Sequence, residues 1–176
     1  MNRDFASVYD EHVWTVYGFF AYRLGTRADA EDLTQETFER ALRAWGRYDA
    51  ARAGVATWLM AIARNLLLDH ARAGRRAAVL TVDEFDDRAL GTAGDRPDLG
   101  LDPAIERALA ELSDRERELI ALRFGGDLSG AEIAELTGLT LANVQQIMSR
   151  SLRRMRMMLD GVHPAATGAA RLSQRS

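Results

Sequence analysis

The sequence predicts an all-α chain of two small helical domains joined by a flexible acidic linker. Three observations carry that expectation. Apolar residues return every three or four positions through most of the chain, the period of an amphipathic helix. Gly and Pro are scarce inside those periodic stretches, where either would break a helix. Residues 77–102 depart from the pattern, with Asp83, Glu84, Asp86, Asp87, Asp95, Asp98 and Asp102 among Gly91, Gly94, Pro97 and Gly100. Low hydrophobicity with clustered charge cannot offset the entropy of ordering, so this stretch reads as a tether. The expected division is a first domain over 1–78, the linker over 79–102, a second domain over 103–160 and a disordered tail over 161–176.

Bulk composition narrows the function. The 176 residues are 47% hydrophobic, enough for compact cores. Without cysteine there is no disulfide framework and no thiolate metal site. His12, His70 and His163 are scattered without ligand spacing, and no nucleophile motif or phosphate-cradling glycine loop is present. The expectation is therefore no catalytic residue, no metal and no cofactor. No run approaches about 18 apolar residues, and the N-terminus carries early acids rather than a signal peptide, which points to a cytoplasmic protein without membrane association. Net charge is −3, but its distribution says more. Residues 1–39 hold 3 Arg against 8 acids, whereas residues 40–79 hold 8 Arg against 2 acids. Residues 140–176 are basic again, with 6 Arg and 1 acid.

The elements follow in order. Phe5, Val8, Tyr9, Val13, Val16, Tyr17 and Phe20 recur at helical spacing from Asp4 to about Leu24, with Gly25 as a stop. Thr26 to Asp29 opens a second helix running to about Trp45, with Phe38, Ala41, Leu42 and Trp45 inward. Asp32, Gln35, Glu36, Glu39 and Arg43 share its outer face. A loop over 46–56 leads to a third helix, Thr57 to Arg76, capped by Thr57. Leu59, Ile62, Ala63, Leu66 and Leu67 form its apolar stripe, while Asn65, Asp69, Arg72 and Arg76 share another face. An amide can pair with base edges, and guanidinium can grip phosphate. Taken alone, that face is equally the solvated side of an ordinary amphipathic helix.

The second domain begins with Asp102 as cap and Pro103 at the first helical position. Ile105, Ala108, Leu109 and Leu112 make its stripe. Ser113 with Glu116, and Ser129 with Glu132, are capping boxes. Leu119, Ile120, Leu122 and Phe124 lie on the helix between them, which ends at Gly125-Gly126. Ile133 and Leu136 point inward, Gly138 supplies a tight turn and Thr140 caps the helix Leu141 to Leu159. That spacing is a helix-turn-helix, whose second helix enters the major groove. Val144, Ile147 and Leu152 are expected to hold it to the core. Gln145, Gln146 and Ser149 can read base edges, and Arg150, Arg153, Arg154 and Arg156 suit phosphates, which fix register.

The string Trp58-Leu-x-x-Ile62-Ala63-Arg64-Asn65-x-x-x-Asp69-x-x-Arg72 resembles the promoter-melting helix of bacterial RNA polymerase sigma factors, closest to the extracytoplasmic-function (ECF) group of the sigma-70 family. Asp29-Ala-Glu-Asp32-Leu-Thr-Gln35-Glu36-Thr-Phe38 is similar to the segment by which these factors dock on the clamp helices of the polymerase β′ subunit. The resemblance makes Asp32, Gln35 and Glu36 the contacts to core polymerase. It makes Trp58, Arg64, Asn65, Arg72, Arg75 and Arg76 the contacts to the −10 element, with the preceding loop holding a flipped base. It makes Gln145, Gln146, Ser149, Arg150 and Arg153 the contacts to −35 duplex. The loop has no aromatic between Asp49 and Ala56, so Tyr48 and Trp58 are the nearest stacking platforms. Gln145-Gln146-Ile147 departs from the Lys-Ser-Arg run frequent in ECF members and looks more like the recognition helix of larger sigma factors. The resemblance implies core RNA polymerase (β′ clamp helices and β flap), promoter DNA and an anti-sigma factor as partners. The rival reading is an operator-binding regulator, which needs a dimer to pair half-sites; no spare apolar helix is evident to make one.

Overall fold

Helix capping and apolar periodicity together build seven α-helices and no strand among the described residues. The computed structural model describes residues 4–24, 26–80 and 102–162, the side chains of 75–80 and 161–162 excepted. Gly25, the linker beyond residue 80 and the tail beyond residue 162 lie outside that range. The helices are α1 (Phe5–Arg23), α2 (Arg27–Ala44), α3 (Val55–Leu80), α4 (Pro103–Ala110), α5 (Asp114–Ile120), α6 (Gly130–Thr137) and α7 (Leu141–Val162). A 3-10 turn, Trp45–Arg47, extends α2, and a π turn, Ala121–Gly125, extends α5.

The expected starts form. Thr26 accepts from the Asp29 amide at 3.1 Å, and Asp102 accepts from the Ala104 amide at 2.7 Å. Both capping boxes close reciprocally, Ser113 with Glu116 and Ser129 with Glu132. Gly138 ends α6 at φ 71°, the left-handed conformation that glycine adopts without steric cost, and Thr140 accepts from the Asn143 amide at 3.2 Å to start α7. Thr57, expected as a cap, is not one. The helix begins two residues earlier, with the Trp58 amide donating to the Gly54 carbonyl at 3.0 Å. Thr57 is instead buried in the first turn and donates its hydroxyl to Glu132 Oε1 at 2.8 Å.

Helices α1, α2 and α3 pack around Val8, Val16, Phe19, Phe20, Leu33, Phe38, Leu59, Ala63, Leu66 and Leu67. Two leucines expected inside are outside: Leu42 is 58% exposed and Leu152 40%. Each lies about 80° to 100° around its helix from the buried line, at about 100° per residue. The inward positions go to Thr34, Thr37 and Ser151. Their hydroxyls donate to the carbonyl four residues earlier, at 2.6, 2.7 and 2.9 Å. A hydroxyl satisfied within its own helix can be buried at little cost.

The two domains do not stand apart. Leu119, Ala121, Leu122, Leu128, Ile133 and Val144 of the second join the same buried cluster as the α1–α3 core. The π turn lies directly on α1, backbone to backbone. A Cβ on Gly125 would sit 2.5 Å from the Gly18 carbonyl oxygen, and one on Gly18 would sit 3.0 Å from that of Gly125. Mid-helix glycine costs about 1 kcal/mol relative to alanine; at Gly18 that cost permits the close approach.

Candidate nucleic-acid interface

Three surfaces carry the residues singled out by sequence. On α2, Asp32 and Gln35 are exposed. Glu36 is half-buried beside them and accepts from Arg40 Nη2 at 2.6 Å. Gln35 Nε2 donates to Glu39 at 3.2 Å. The cluster is thus a row of acceptors, its geometry held by i,i+4 pairs along one helix face.

On α3, Asn65 and Arg72 are exposed on one face, with Asp69 between them. Arg72 Nη1 reaches Asp69 Oδ1 at 3.3 Å, and Arg40 Nη1 of α2 lies 4.0 Å from the other oxygen. Trp58 lies on the same side of α3 as Asn65, two turns toward its N-terminus. It is half-buried in an aromatic group with Trp45 and Tyr48, its ring centre 4.9 Å from that of Tyr48. Trp45 and Tyr48 stack at 5.1 Å with planes 6° apart. Tyr48 donates its hydroxyl to the Ala53 carbonyl at 2.9 Å, so the aromatic-free loop hangs on this group. Arg64, about 100° round the helix, leaves the Asn65 face. It is 22% exposed and donates from Nε to Glu118 Oε1 of α5 at 2.7 Å. The side chains of Arg75 and Arg76 lie outside the described residues.

On α7, Gln145, Gln146, Ser149, Arg150 and Arg153 are all exposed, while Val144, Ser151 and Met155 face the core. Arg154 turns toward Glu116 at 3.7 Å and Arg156 toward Asp160 at 3.8 Å. The helix therefore offers amides near its N-terminal end and guanidinium groups further along, the order that base reading and phosphate anchoring require. Ser129 and Ser113 hydrogen bonds hold the Glu132 and Glu116 carboxyls below the usual carboxylate range. Both cap charges thereby persist at the positive ends of α6 and α5.

Sequence reasoning missed the residues joining the domains: Arg23, Met60 and Glu118. Arg23 Nη1 donates to the Asp114 carbonyl at 3.0 Å, and burial lowers its pKa. Met60 is buried with its sulfur against Gly126. The available signal was Gly18 within a helical period and the pair Gly125-Gly126.

Among the described residues no helix is long and apolar enough to cross a membrane. The family model for sigma-70 region 2 matches residues 8–77, and that for sigma-70 region 4 matches residues 108–157. The ECF RNA polymerase sigma factor BldN of Streptomyces coelicolor is 34% identical over 158 residues, covering 88% of this chain and 60% of its own length. The chain thus spans less than two thirds of that relative. SigL of Mycobacterium tuberculosis, also an ECF sigma factor, is 31% identical over 158 residues, covering 87% of each. In fold the chain is similar to the sigma factor RpoE of Bartonella quintana, solved with the anti-sigma factor NepR, at TM-score 0.74 and 23% identity over 89% of this chain and 97% of that one. Two region matches in order, with ECF relatives across both, establish that the chain belongs to the ECF group of the sigma-70 family, whose members are transcription initiation factors of RNA polymerase rather than enzymes.

Proposed function

We propose that the chain carries core RNA polymerase to promoters through the three surfaces described. Asp32, Gln35 and Glu36 dock on the basic β′ clamp helices, where an acidic and amide row is the complementary surface. Asn65 and Arg72, with Arg64, Arg75 and Arg76, hold the opened −10 strand, and Trp58 supports the loop that takes a flipped base. Flipping costs a few kcal/mol of stacking, which such a pocket must return. Gln145, Gln146 and Ser149 read the −35 duplex while Arg150 and Arg153 anchor it. The first domain ends near residue 78 and the second begins near 103. The acidic tether between them lets one bound site raise the effective concentration of the other. The protein acts in the cytoplasm, beside the polymerase. RpoE suggests an anti-sigma factor as a further partner.

One observation favours this reading over an operator-binding regulator: the α2 acceptor row, the α3 amide-and-arginine face and the α7 face are all exposed on one chain. A regulator needs only the last. In vitro transcription with core enzyme and a promoter library tests it. Transcripts that depend on the added chain are expected. A chain that gives core no initiation on any template, yet binds a palindromic duplex as a dimer, refutes the reading.

A further inference from the structure

The short loop before α3 is closed by one side chain. Asp49 shapes its tip: Oδ1 accepts from the Ala51 amide at 2.9 Å, and the Asp49 carbonyl accepts from the Arg52 amide at 3.1 Å. Both bonds stay within the turn. The bond that spans the loop runs from the Tyr48 hydroxyl to the Ala53 carbonyl, 2.9 Å long and partly buried. The Tyr48 ring lies parallel to Trp45 at 5.1 Å, and Trp45 meets Phe5 edge-on at 5.4 Å. Phe5 in turn meets Phe38 of the α1–α3 core at 6.4 Å. A chain of rings thus runs from the core to the loop and ends in one hydroxyl.

We propose that Tyr48, backed by Trp45, is the positioning residue that sets base selectivity on the −10 strand. Its hydroxyl fixes where the loop stands relative to the Asn65 face, and the loop in that place selects the flipped base. The idea rests on the −10 role proposed for α3 and its loop. Two observations carry it. The first is that one face of the Tyr48 ring already packs on Trp45, so the ring serves the fold while the hydroxyl acts on the loop. The second is placement. Trp58, its ring centre 4.9 Å from that of Tyr48, lies seven residues before Asn65. Two helical turns return it to the same side of α3, about 10 Å along the axis. The loop end held by Tyr48 and the Asn65 amide thus flank one stretch of surface, wide enough for a single unstacked base.

A loop without aromatic side chains discriminates bases by where its own polar groups stand. Hydrogen bonds form over a narrow range, about 2.7–3.2 Å between heavy atoms, and weaken steeply when misaligned. A loop free to shift by about that range satisfies several base edges equally and selects none. Selectivity therefore needs a fastening that adhesion does not, because phosphate contacts hold a strand whatever its sequence. The Tyr48 hydroxyl is that fastening. Its acceptor, the Ala53 carbonyl, directly precedes the Gly54 carbonyl, which accepts from the Trp58 amide at 3.0 Å in the first turn of α3. Consecutive carbonyls thus register the loop to both the ring group and the helix.

Tyr48→Phe is the direct test. It keeps the rings and removes one hydrogen bond to a carbonyl of the half-buried Ala53, which water can serve instead, so the fold stands. Wild type and variant, each bound to core polymerase, are titrated with single-stranded −10 oligonucleotides carrying every base at every position. In the variant the strongest base preference of the wild type should shrink about five-fold, the scale of one lost hydrogen bond. Affinity for a scrambled strand, its salt dependence and core affinity should stay unchanged, a split that a merely packing residue would not give. Tyr48→Leu, without ring or hydroxyl, should lose the preference as well. A Tyr48→Phe variant that keeps the full preference while Tyr48→Leu loses it makes the ring the determinant and overturns the proposal. Preference kept in both variants, or all strands weakened alike, overturns it too. A wild type that favours no base at any position refutes the −10 reading of α3 itself, not the role of Tyr48 alone.

Discussion

Gly138→Ala isolates one physical term in the DNA-reading domain. Gly138 sits at φ 71°, ψ 16° between α6 and α7, and a Cβ there would have nothing within 4 Å. The cost of a side chain is therefore conformational and not steric contact with neighbours. Holding an L-residue in the left-handed region costs roughly 1–2 kcal/mol, and the stiffer unfolded chain returns about 0.4–1 kcal/mol. The net is a destabilisation of about 1 kcal/mol, about five-fold in the opening equilibrium of the helix-turn-helix. Asparagine tolerates the left-handed region better, so Gly138→Asn should cost clearly less than Gly138→Ala. Native-state hydrogen exchange reads this locally: amides of α6 and of the first turn of α7 should lose about five-fold protection in the alanine variant. If asparagine costs as much as alanine, or if alanine costs more than about 3 kcal/mol, backbone strain is not the cause and the reasoning fails.

Four further outcomes are expected. Asn65→Ala or Arg72→Ala should reduce promoter opening, scored by permanganate reactivity of the melted strand, with core affinity unchanged; lost core affinity with normal melting per complex reverses the assignment. Substituting Gln146 should shift −35 preference in a binding selection, and an unchanged preference at every position removes it from the base-reading set. Glu116 and Glu132 have folded pKa values below their ordinary 4.5. Their contribution to stability is thus complete above about pH 4.5 and lost as pH falls through the lowered folded value. Amide protection at the starts of α5 and α6 should decline over that acid range, and Glu132→Gln, which still caps without titrating, should flatten the α6 response. Ile133→Ala, at a fully buried site in the α6 core, should cost roughly 2–5 kcal/mol, visible as a lower denaturant midpoint.

Most element starts were legible because their caps are local: Thr26, Asp102, Ser113, Ser129, Gly138 and Thr140 each act within a few residues of themselves. Leu42 and Leu152 were misplaced because residue type was read as burial. In both helices a back-bonded hydroxyl held the inner position that polarity had ruled out. Thr57 failed differently. Its partner Glu132 is 75 positions away, and nothing local marks such a contact. The same holds for Arg64 and Glu118, 54 positions apart. The exposed faces of α2 and α7 needed only helical periodicity, so they could be placed from sequence; the seam between domains could not.

The internal ion pairs sort the arginines by how readily a phosphate can claim them. Arg72 and Arg40 are about half-exposed, as are their partners Asp69 and Glu36. Pairs of that kind are screened by salt and contribute little, so in the proposed −10 role of Arg72 a strand of high charge density would displace its pair, releasing counterions as it did. Arg64 differs. It is 22% exposed and its partner Glu118 only 12%, so screening is weak. Removing one partner of a buried pair leaves the other charge uncompensated. A chain with net charge −3 thus keeps two kinds of basic group, exposed arginines in weak pairs and one arginine held between helices by a largely buried carboxylate.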